Sequence, residues 1–275
     1  MDTCIKVASF NIKRDSRFQG PHSWRNRREL VAEIIRQSGL AIIGVQELLP
    51  TMREDLGELL RGYSIFGEGR KRNRSNEQSA ILLRDNDTKL LGGKTFWLSK
   101  HPERSGSRAY FAMFPRICTV CEVYVQEYGR SIRVFNTHFD HVCGPARTLG
   151  VRIILEYMHR MNERAPRPSI LMGDLNAAPD SKPIRILREN QHSYPDIHLN
   201  CVFDLAQNQE TANTYHGFSG RITPHPPIDY IFVSDDFMVR DTYLDTTHTG
   251  GLYPSDHFPL VAVLELKKQA AEMAG

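Results

Sequence analysis

Residues Gly251–Leu266 read GLYPSDHFPLVAVLEL. The second half, from Phe258, is an apolar, β-branched run of the kind that forms a core strand. The first half places an acid and an imidazole, Asp256 and His257, where that buried strand begins. A turn of Tyr253, Pro254 and Ser255 could deliver the chain without them. Alone, the pair reads as a turn cap beside an exposed histidine, but the same anomaly recurs elsewhere. Asn11 ends VASFNI, and Gln46 and Glu47 end IIGVQEL. Asn136, His138, Asp140 and His141 close VFNTHFDH, Asp174 and Asn176 follow Gly173 in LMGDLNAAP, and Asp229 opens IDYIFVS. Each has an ordinary reading as a turn former, cap or packed side chain. Yet an unpaired carboxylate at the mouth of an apolar strand is costly, and it occurs at Glu47, Asp174, Asp229 and Asp256. One site with a shared cation accounts for this better than separate accidents.

These positions also constrain the architecture. Asn11, Glu47, His138 and Asp174 end their strands, whereas Asp229 and Asp256 begin theirs. In an all-parallel sheet the two groups would lie on opposite edges. They converge only if the last strands run antiparallel to the first, so the sheets must be mixed. The pattern elsewhere agrees. IKVASF, AIIGVQ, QSAILLR, TKLLGGKTFWL, CTVCEVYVQ, SIRVFNTHF, SILMG and MVRDTYLDTT read as strands. SWRNRRELVAEIIRQSG, MREDLGELLRG, RTLGVRIILEYMHRMNER and KPIRILREN read as helices. The order is not a strict βαβ alternation, which suggests mixed sheets with helices outside.

The chain has 275 residues, is 40% hydrophobic and carries a net charge of +3, enough length for a sizeable core and too little charge for a dedicated nucleic-acid binder. No repeat or composition break marks a linker, so one domain is expected over 1–267, with 268–275 a frayed tail. No apolar stretch reaches membrane-span length and the N-terminus does not read as a signal peptide, so a cytoplasmic monomer with no membrane partner is expected. The five cysteines are irregularly spaced. Cys118 and Cys121 form C-x-x-C within an alternating strand, where their side chains point to opposite faces, against a redox or zinc role.

The candidate ligands are oxygen donors, which suit Mg²⁺ or Mn²⁺. A rival lies in NTHFDH, which nearly spells the H-x-H-x-D-H zinc signature of metallo-β-lactamase-type hydrolases, with Asn136 in place of the first His. That reading leaves Glu47, Asp174, Asn176 and Asp256 idle.

The ordered series SFNI, VQE, NTH, GDLN, IDYIF and SDHFP resembles the endonuclease/exonuclease/phosphatase superfamily, with the deoxyribonuclease I-like fold, from Asn11 to His257. FWLSKHPERSGSRAYFAMFPRICTV and TYHGFSG look most like a small bacterial branch related to the deadenylases. The resemblance implies a four-layer α/β sandwich, two packed mixed sheets flanked by helices. It implies a metal held by Glu47, with Asn11 and Asp256 close by. Asp174 would orient or deprotonate the attacking water, and Asn176 would hold that water or a phosphate oxygen. His257, paired with Asp229, would contact the scissile phosphate, and His138 would be a second phosphate ligand, paired with Glu77. Arg116 in FPRI matches a phosphate-binding arginine, and Asn11 and His216 complete the expected phosphate contacts. Two departures stand out. Lys13 occupies a position where the abasic-site enzymes carry an acid, and FPRI lacks an upstream Tyr of those enzymes, against abasic-site repair.

The expected activity is that of a metal-dependent phosphoesterase acting on a phosphate mono- or diester of a nucleic acid, nucleotide or phosphorylated small molecule. The alternatives are a zinc hydrolase using NTHFDH and an inactive binding protein on the same fold. For substrate choice, RKRNRSN (Arg70, Lys71, Arg72, Arg74) is either a solvated loop or a phosphate-steering patch. The loop before Trp24 and Arg25 could fold over the site. Tyr215, His216, Phe218 and Arg221 precede Asp229 and either stack on substrate or pack their loop.

Overall fold

A computed structural model describes residues 4–16, 19–110, 112–205 and 212–268. Of the expected frayed tail, all but Lys268 lies outside the described residues.

One sheet contains β1 (Cys4–Asn11), β2 (Ile42–Leu48), β3 (Tyr63–Phe66), β4 (Gln78–Arg84), β11 (Phe237–Leu244) and β12 (Leu260–Leu266), in the order β11-β12-β1-β2-β4-β3. The other contains β5 (Thr88–Trp97), β6 (Ile117–Val125), β7 (Arg130–His138), β8 (Ser169–Asp174), β9 (Leu199–Cys201) and β10 (Asp229–Ser234), in the order β5-β6-β7-β8-β10-β9. In each sheet a central pair is parallel, β1 with β2 and β7 with β8, and the remaining pairs are antiparallel. The sheets are therefore mixed, as the placement of the acids requires.

The sheets pack face to face, β1 and β2 against β7 and β8. Their strands are apolar on both faces because both faces are buried. In the first sheet, Ile5, Val7, Ile42, Ile81 and Leu83 point into the space between the sheets. The alternate residues Ala8, Phe10, Ile43, Val45 and Leu82 point outward, under α1 (Trp24–Gln37) and α2 (Pro50–Leu59). The second sheet is covered by α3 (Gly144–Arg164), whose Val151, Ile154 and Met158 join the core around β6 to β8, and by the shorter α4 (Lys182–Arg188). A third short helix, α5 (Val202–Leu205), follows β9. Cys118 and Cys121 are both buried on β6 and form no disulfide, and burial pushes both thiols up from their ordinary range.

Two strands escape the sequence pattern, β3 and β9, both short and at sheet edges. The last strand starts at Leu260, not Phe258. Pro259 has no N–H to give a ladder, and the Phe258 N–H is spent on Thr214 O at 2.8 Å.

Arg27 falls on the apolar stripe of α1 and is fully buried. It has no acidic partner among the described residues. Its guanidinium donates instead to four carbonyls: His22 (2.6 Å), Ile12 (2.8 Å), Lys13 (2.9 Å) and Pro254 (2.6 Å). It thereby clamps the segment after β1 to the turn before β12. Burial lowers its pKa to about 10, so it stays charged at neutral pH. Arg27→Met keeps the length and leaves those carbonyls without donors. A loss of about 3 kcal/mol or more is expected in urea unfolding, since each orphaned buried group costs roughly 1–3 kcal/mol. A loss within experimental error would show that the carbonyls find other donors.

Candidate active site

Register places the first three candidate residues. β7 and β8 pair His138 with Asp174, and β8 and β10 pair Asp174 with Asp229, so the three stand side by side at one end of the second sheet. Gly173 lets the chain turn there: its φ is +150°, and a Cβ would lie 2.0 Å from Thr137 O. In the first sheet, β1 delivers Asn11 beside Gln46 of β2. A register shift between Val45 and Leu48 turns Glu47 out of the ladder with φ of 64°. Lys13 (φ 54°) and Asn176 (φ 46°) share this left-handed conformation, which is unusual for non-glycine residues and concentrates at functional sites.

Asp174 is the hub. Its Oδ1 accepts the Asn176 N–H at 2.9 Å, and its Oδ2 accepts Asn11 Nδ2 at 3.0 Å. The same oxygen lies 3.6 Å from His138 Nε2 and 3.9 Å from His257 Nε2. Burial and then the adjacent Asp229 push its pKa up, against the pull of His257 and Asn11. The Asn11 amide also donates to Glu47 at 3.3 Å, while its oxygen accepts the Lys13 N–H at 3.0 Å. Asn11 thus holds two carboxylates together, and its own oxygen keeps a second lone pair beside the bond from Lys13. Glu47 takes the Arg14 N–H at 2.8 Å, and among the described residues no cationic side chain lies within 4 Å of it.

His257 reaches in from the other sheet. Its Nδ1 is 2.8 Å from Oδ2 of the fully buried Asp229, and its ring meets Tyr215 edge-on at 5.1 Å. Burial opposes a charge on this ring, but Asp229, Asp174 and Asp256 outweigh it and raise its pKa to about 10. Asp174, Asp229 and His257 bring ligand atoms within 4.8 Å of one another, the only such trio among the described residues. Within the trio the Nδ1 of His257 is committed to Asp229, which leaves Nε2 facing Asp174.

Asp256 pairs with Lys13 at 3.0 Å. Burial of the ammonium, though unfavourable, is outweighed by Asp256 and Glu47, so its pKa is raised. Lys13, Glu47, His138, Asp174, Asn176, Asp256 and His257 line one cavity of about 460 Å³, with Asn11 and Asp229 buried behind them, and Glu47 and Asp174 are the lining carboxylates without a close dedicated cation. This all-oxygen set fits a hard dication.

Glu77 was expected to pair with His138. It is 3.7 Å from His138 Nδ1 but bonds Arg70 at 2.7 Å. Arg116 lines the cavity and donates to His141 Nδ1 at 3.2 Å. Burial, then Arg116 and Arg70, hold His138 neutral, well below the usual imidazole range. The RKRNRSN stretch divides: Arg70 is buried at the site, while Lys71, Arg72 and Arg74 are exposed. His216 does not face the cavity. Its ring stacks on Phe258 at 4.0 Å, its Nδ1 accepts the Gly220 N–H at 3.0 Å, and burial and His257 lower its pKa to about 4, so it braces its loop. Phe218 likewise stacks on His22 at 4.1 Å. Arg221 is exposed and does not line the cavity, whereas Tyr215, 50% exposed, does. Trp24 is buried and bonds Asp55, so it anchors α1 to α2 and does not cover the site.

NTHFDH does not assemble a zinc set. Asn136 lies deep between the sheets, bonded to Gln46 at 2.7 Å and to the carbonyls of Val45 and Ala80. Asp140 Oδ1 accepts the N–H groups of Val142 and Cys143. Sequence reasoning passed over Arg14, Phe114 and the Lys13–Asp256 pair. The basic doublet Lys13–Arg14, one residue beyond the strand end at Asn11, was the available signal for two of them.

The family model described as the endonuclease/exonuclease/phosphatase family matches residues 8–257. An endonuclease/exonuclease/phosphatase from Bacteroides vulgatus is 27% identical, with a TM-score of 0.86 over 96% of this chain and 99% of its own. A mannosyl-6-phosphatase of Bacteroides thetaiotaomicron is 26% identical, with a TM-score of 0.82 over 94% and 99%. The human Nocturnin catalytic domain, at 21% identity and a TM-score of 0.73 over 97% and 96%, shares the fold. No helix among the described residues is long and apolar enough to cross a membrane.

The raised pKa of His257 gives a signed prediction. Its ion pair with Asp229 stabilises the fold fully below the ordinary imidazole range, about 6.5, and loses that contribution as pH rises towards about 10. The destabilisation caused by Asp229→Asn, measured by urea unfolding, is therefore largest near pH 6 and shrinks towards pH 10. A pH-independent difference would mean that His257 is neutral in the fold.

Proposed function

The chain belongs to the endonuclease/exonuclease/phosphatase family, whose members hydrolyse phosphate esters, and from that premise we propose that it is a Mg²⁺- or Mn²⁺-dependent phosphoesterase. The reading is carried by one observation: Asp174, held by Asn11 and the Asn176 N–H, faces His257, which Asp229 orients. A base-orienting cluster and an electrophile thus meet at one cavity.

Glu47 would hold the dication, with Asp174 close by and Asp256 offering the oxygen that Lys13 does not take. The bound ion would supply Lewis-acid polarisation of the phosphoryl group and stabilise the leaving oxygen. The chain supplies the rest. Asp174 orients the attacking water and takes its proton. Asn176, fixed by its bond to Phe139 O at 3.1 Å, positions that water or a phosphate oxygen. His257 keeps Nδ1 on Asp229 and offers Nε2–H to the phosphoryl oxygen on which charge grows. His138, neutral, offers a further contact to the phosphate. The likeness to a mannosyl-6-phosphatase favours a small phosphorylated alcohol as substrate over a polymer.

Activity against a panel of phosphate esters is expected to vanish with EDTA and return with Mg²⁺ or Mn²⁺, and Glu47→Gln should weaken metal binding in a folded protein. Activity that resisted EDTA and required Zn²⁺ would overturn this. Asp174→Asn should lower kcat by about 10²-fold or more, within the range of general-base effects. Near-normal turnover in that variant would remove Asp174 from the role. His257→Ala and Asp229→Asn should be strongly non-additive in kcat, because Asp229 acts through His257. Independent, multiplying losses would reduce Asp229 to a structural acid.

A further inference from the structure

The reaction proposed above uses the side of the cavity lined by Glu47, Asp174, Asn176 and His257, with Asn11 buried behind. It leaves the opposite side unused. There Arg14, Arg70 and Arg116 gather around Glu77, at 3.5, 2.7 and 3.9 Å. The imidazole of His138 separates the two sides, with Nε2 3.6 Å from Asp174 and Nδ1 3.7 Å from Glu77.

This side holds more donors than acceptors. Arg116 is 7% exposed, and its buried Nε and Nη1 have no hydrogen-bond partner. Its nearest acids are too distant to serve: Asp140 at 3.7 Å and Glu77 at 3.9 Å. His138 Nδ1 is unpartnered as well. Idle guanidinium N–H groups in a buried wall are costly. Three guanidinium groups face only Glu77 and Asp140, and Asp140 already accepts two backbone N–H groups through its other oxygen. Phe114, 39% exposed, covers the Arg70 guanidinium at 4.8 Å and keeps water from the cluster on that side. Unpartnered guanidinium N–H groups can give charge-assisted hydrogen bonds to the oxygens of a phosphate.

We propose that Arg14, Arg70 and Arg116 form a second phosphate subsite, so that the substrate is a small molecule bearing a second phosphate group beside the ester that is cleaved. The proposal relies on the phosphoesterase reading only for which group is cleaved. Binding tests it apart from turnover. In an Asp174→Asn background, titration calorimetry compares glucose 6-phosphate with glucose 1,6-bisphosphate and fructose 6-phosphate with fructose 1,6-bisphosphate. In at least one pair the bisphosphate should bind roughly tenfold tighter or more, the scale of one or two charge-assisted contacts. Arg70→Met and Arg14→Ala should bring that ratio towards one. Arg14 is 40% exposed along its side chain, so its variant tests the subsite even if Arg70→Met fails to fold. No preference in either pair overturns the proposal. So does an equal weakening of both members of a pair by the arginine variants, which would assign the arginines to the scissile phosphate. If wild-type protein with Mg²⁺ turned over none of these sugars while the bisphosphate preference persisted, the subsite would stand and the phosphoesterase reading would fall.

Discussion

Asp174 and Asp229 are lateral neighbours on adjacent strands, both buried. Two carboxylates in that arrangement repel each other and have lost their water, so the strand end is stable only with a positive group between them. His257 is that group, and it comes from the other sheet: bonded to Asp229 and 3.9 Å from Asp174, it joins the end of the second sheet to the turn before β12. The contact that makes the carboxylates tolerable also positions an imidazolium for catalysis. Stability and proposed chemistry rest on the same pair.

Several contacts keep that turn where His257 needs it. Ser255 Oγ donates to Asn11 O at 2.6 Å, and Arg27 holds Pro254 O together with the carbonyls of Ile12 and Lys13. The Asp256 carbonyl accepts the N–H groups of His216 and Gly217. His216 therefore contributes through its backbone and its stacking on Phe258, which explains a histidine near the site that does not face it. Deeper between the sheets, Gln46 and Asn136 bond to each other and cap Gly44, Val45 and Ala80 carbonyls. Buried polar pairs of this kind favour one alignment of two otherwise apolar faces, because a slip would leave their amides unsatisfied. Asn136 thus fills a structural position where a zinc signature would need a ligand.

The sequence made the architecture legible because polar residues at strand ends are costly and therefore informative. Asn11, Glu47, Asp174, Asp229 and Asp256 each broke an apolar pattern, and only mixed sheets bring them together. Edge strands such as β9 bury too little to leave a pattern. The partners inside the site were harder to read. Arg70 looked like a member of a solvated basic loop, and nothing local separates it from Arg72 or Arg74; its burial depends on Glu77, Phe114 and Trp97, whose indole donates to the Arg70 carbonyl at 2.8 Å. Arg27 was hidden differently. It sits on the apolar stripe of α1, but its partners are backbone carbonyls, one of them 227 residues away, and carbonyls carry no sequence signal. The left-handed backbone at Lys13 and Glu47, too, is imposed by tertiary contacts, not by residue preference.

Charge pairing then narrows where a dication is needed. Glu77 has Arg70, Asp229 has His257 and Asp256 has Lys13, each at 3.0 Å or closer. Glu47 and Asp174 share only the neutral amide of Asn11, backbone N–H groups and, for Asp174, imidazoles at 3.6 Å and beyond. Had position 13 been an acid, Asp256 would lack its ammonium and a second oxygen-lined charge would stand beside it, an arrangement that calls for more positive charge than one ion brings. With Lys13 in place, one dication at Glu47, as proposed, would balance the carboxylates the chain leaves uncompensated, and a second would meet the ammonium. The departure at Lys13 would suit the single ion proposed at Glu47, and among the remaining cations of the cavity Arg116 keeps unpartnered donors for the substrate.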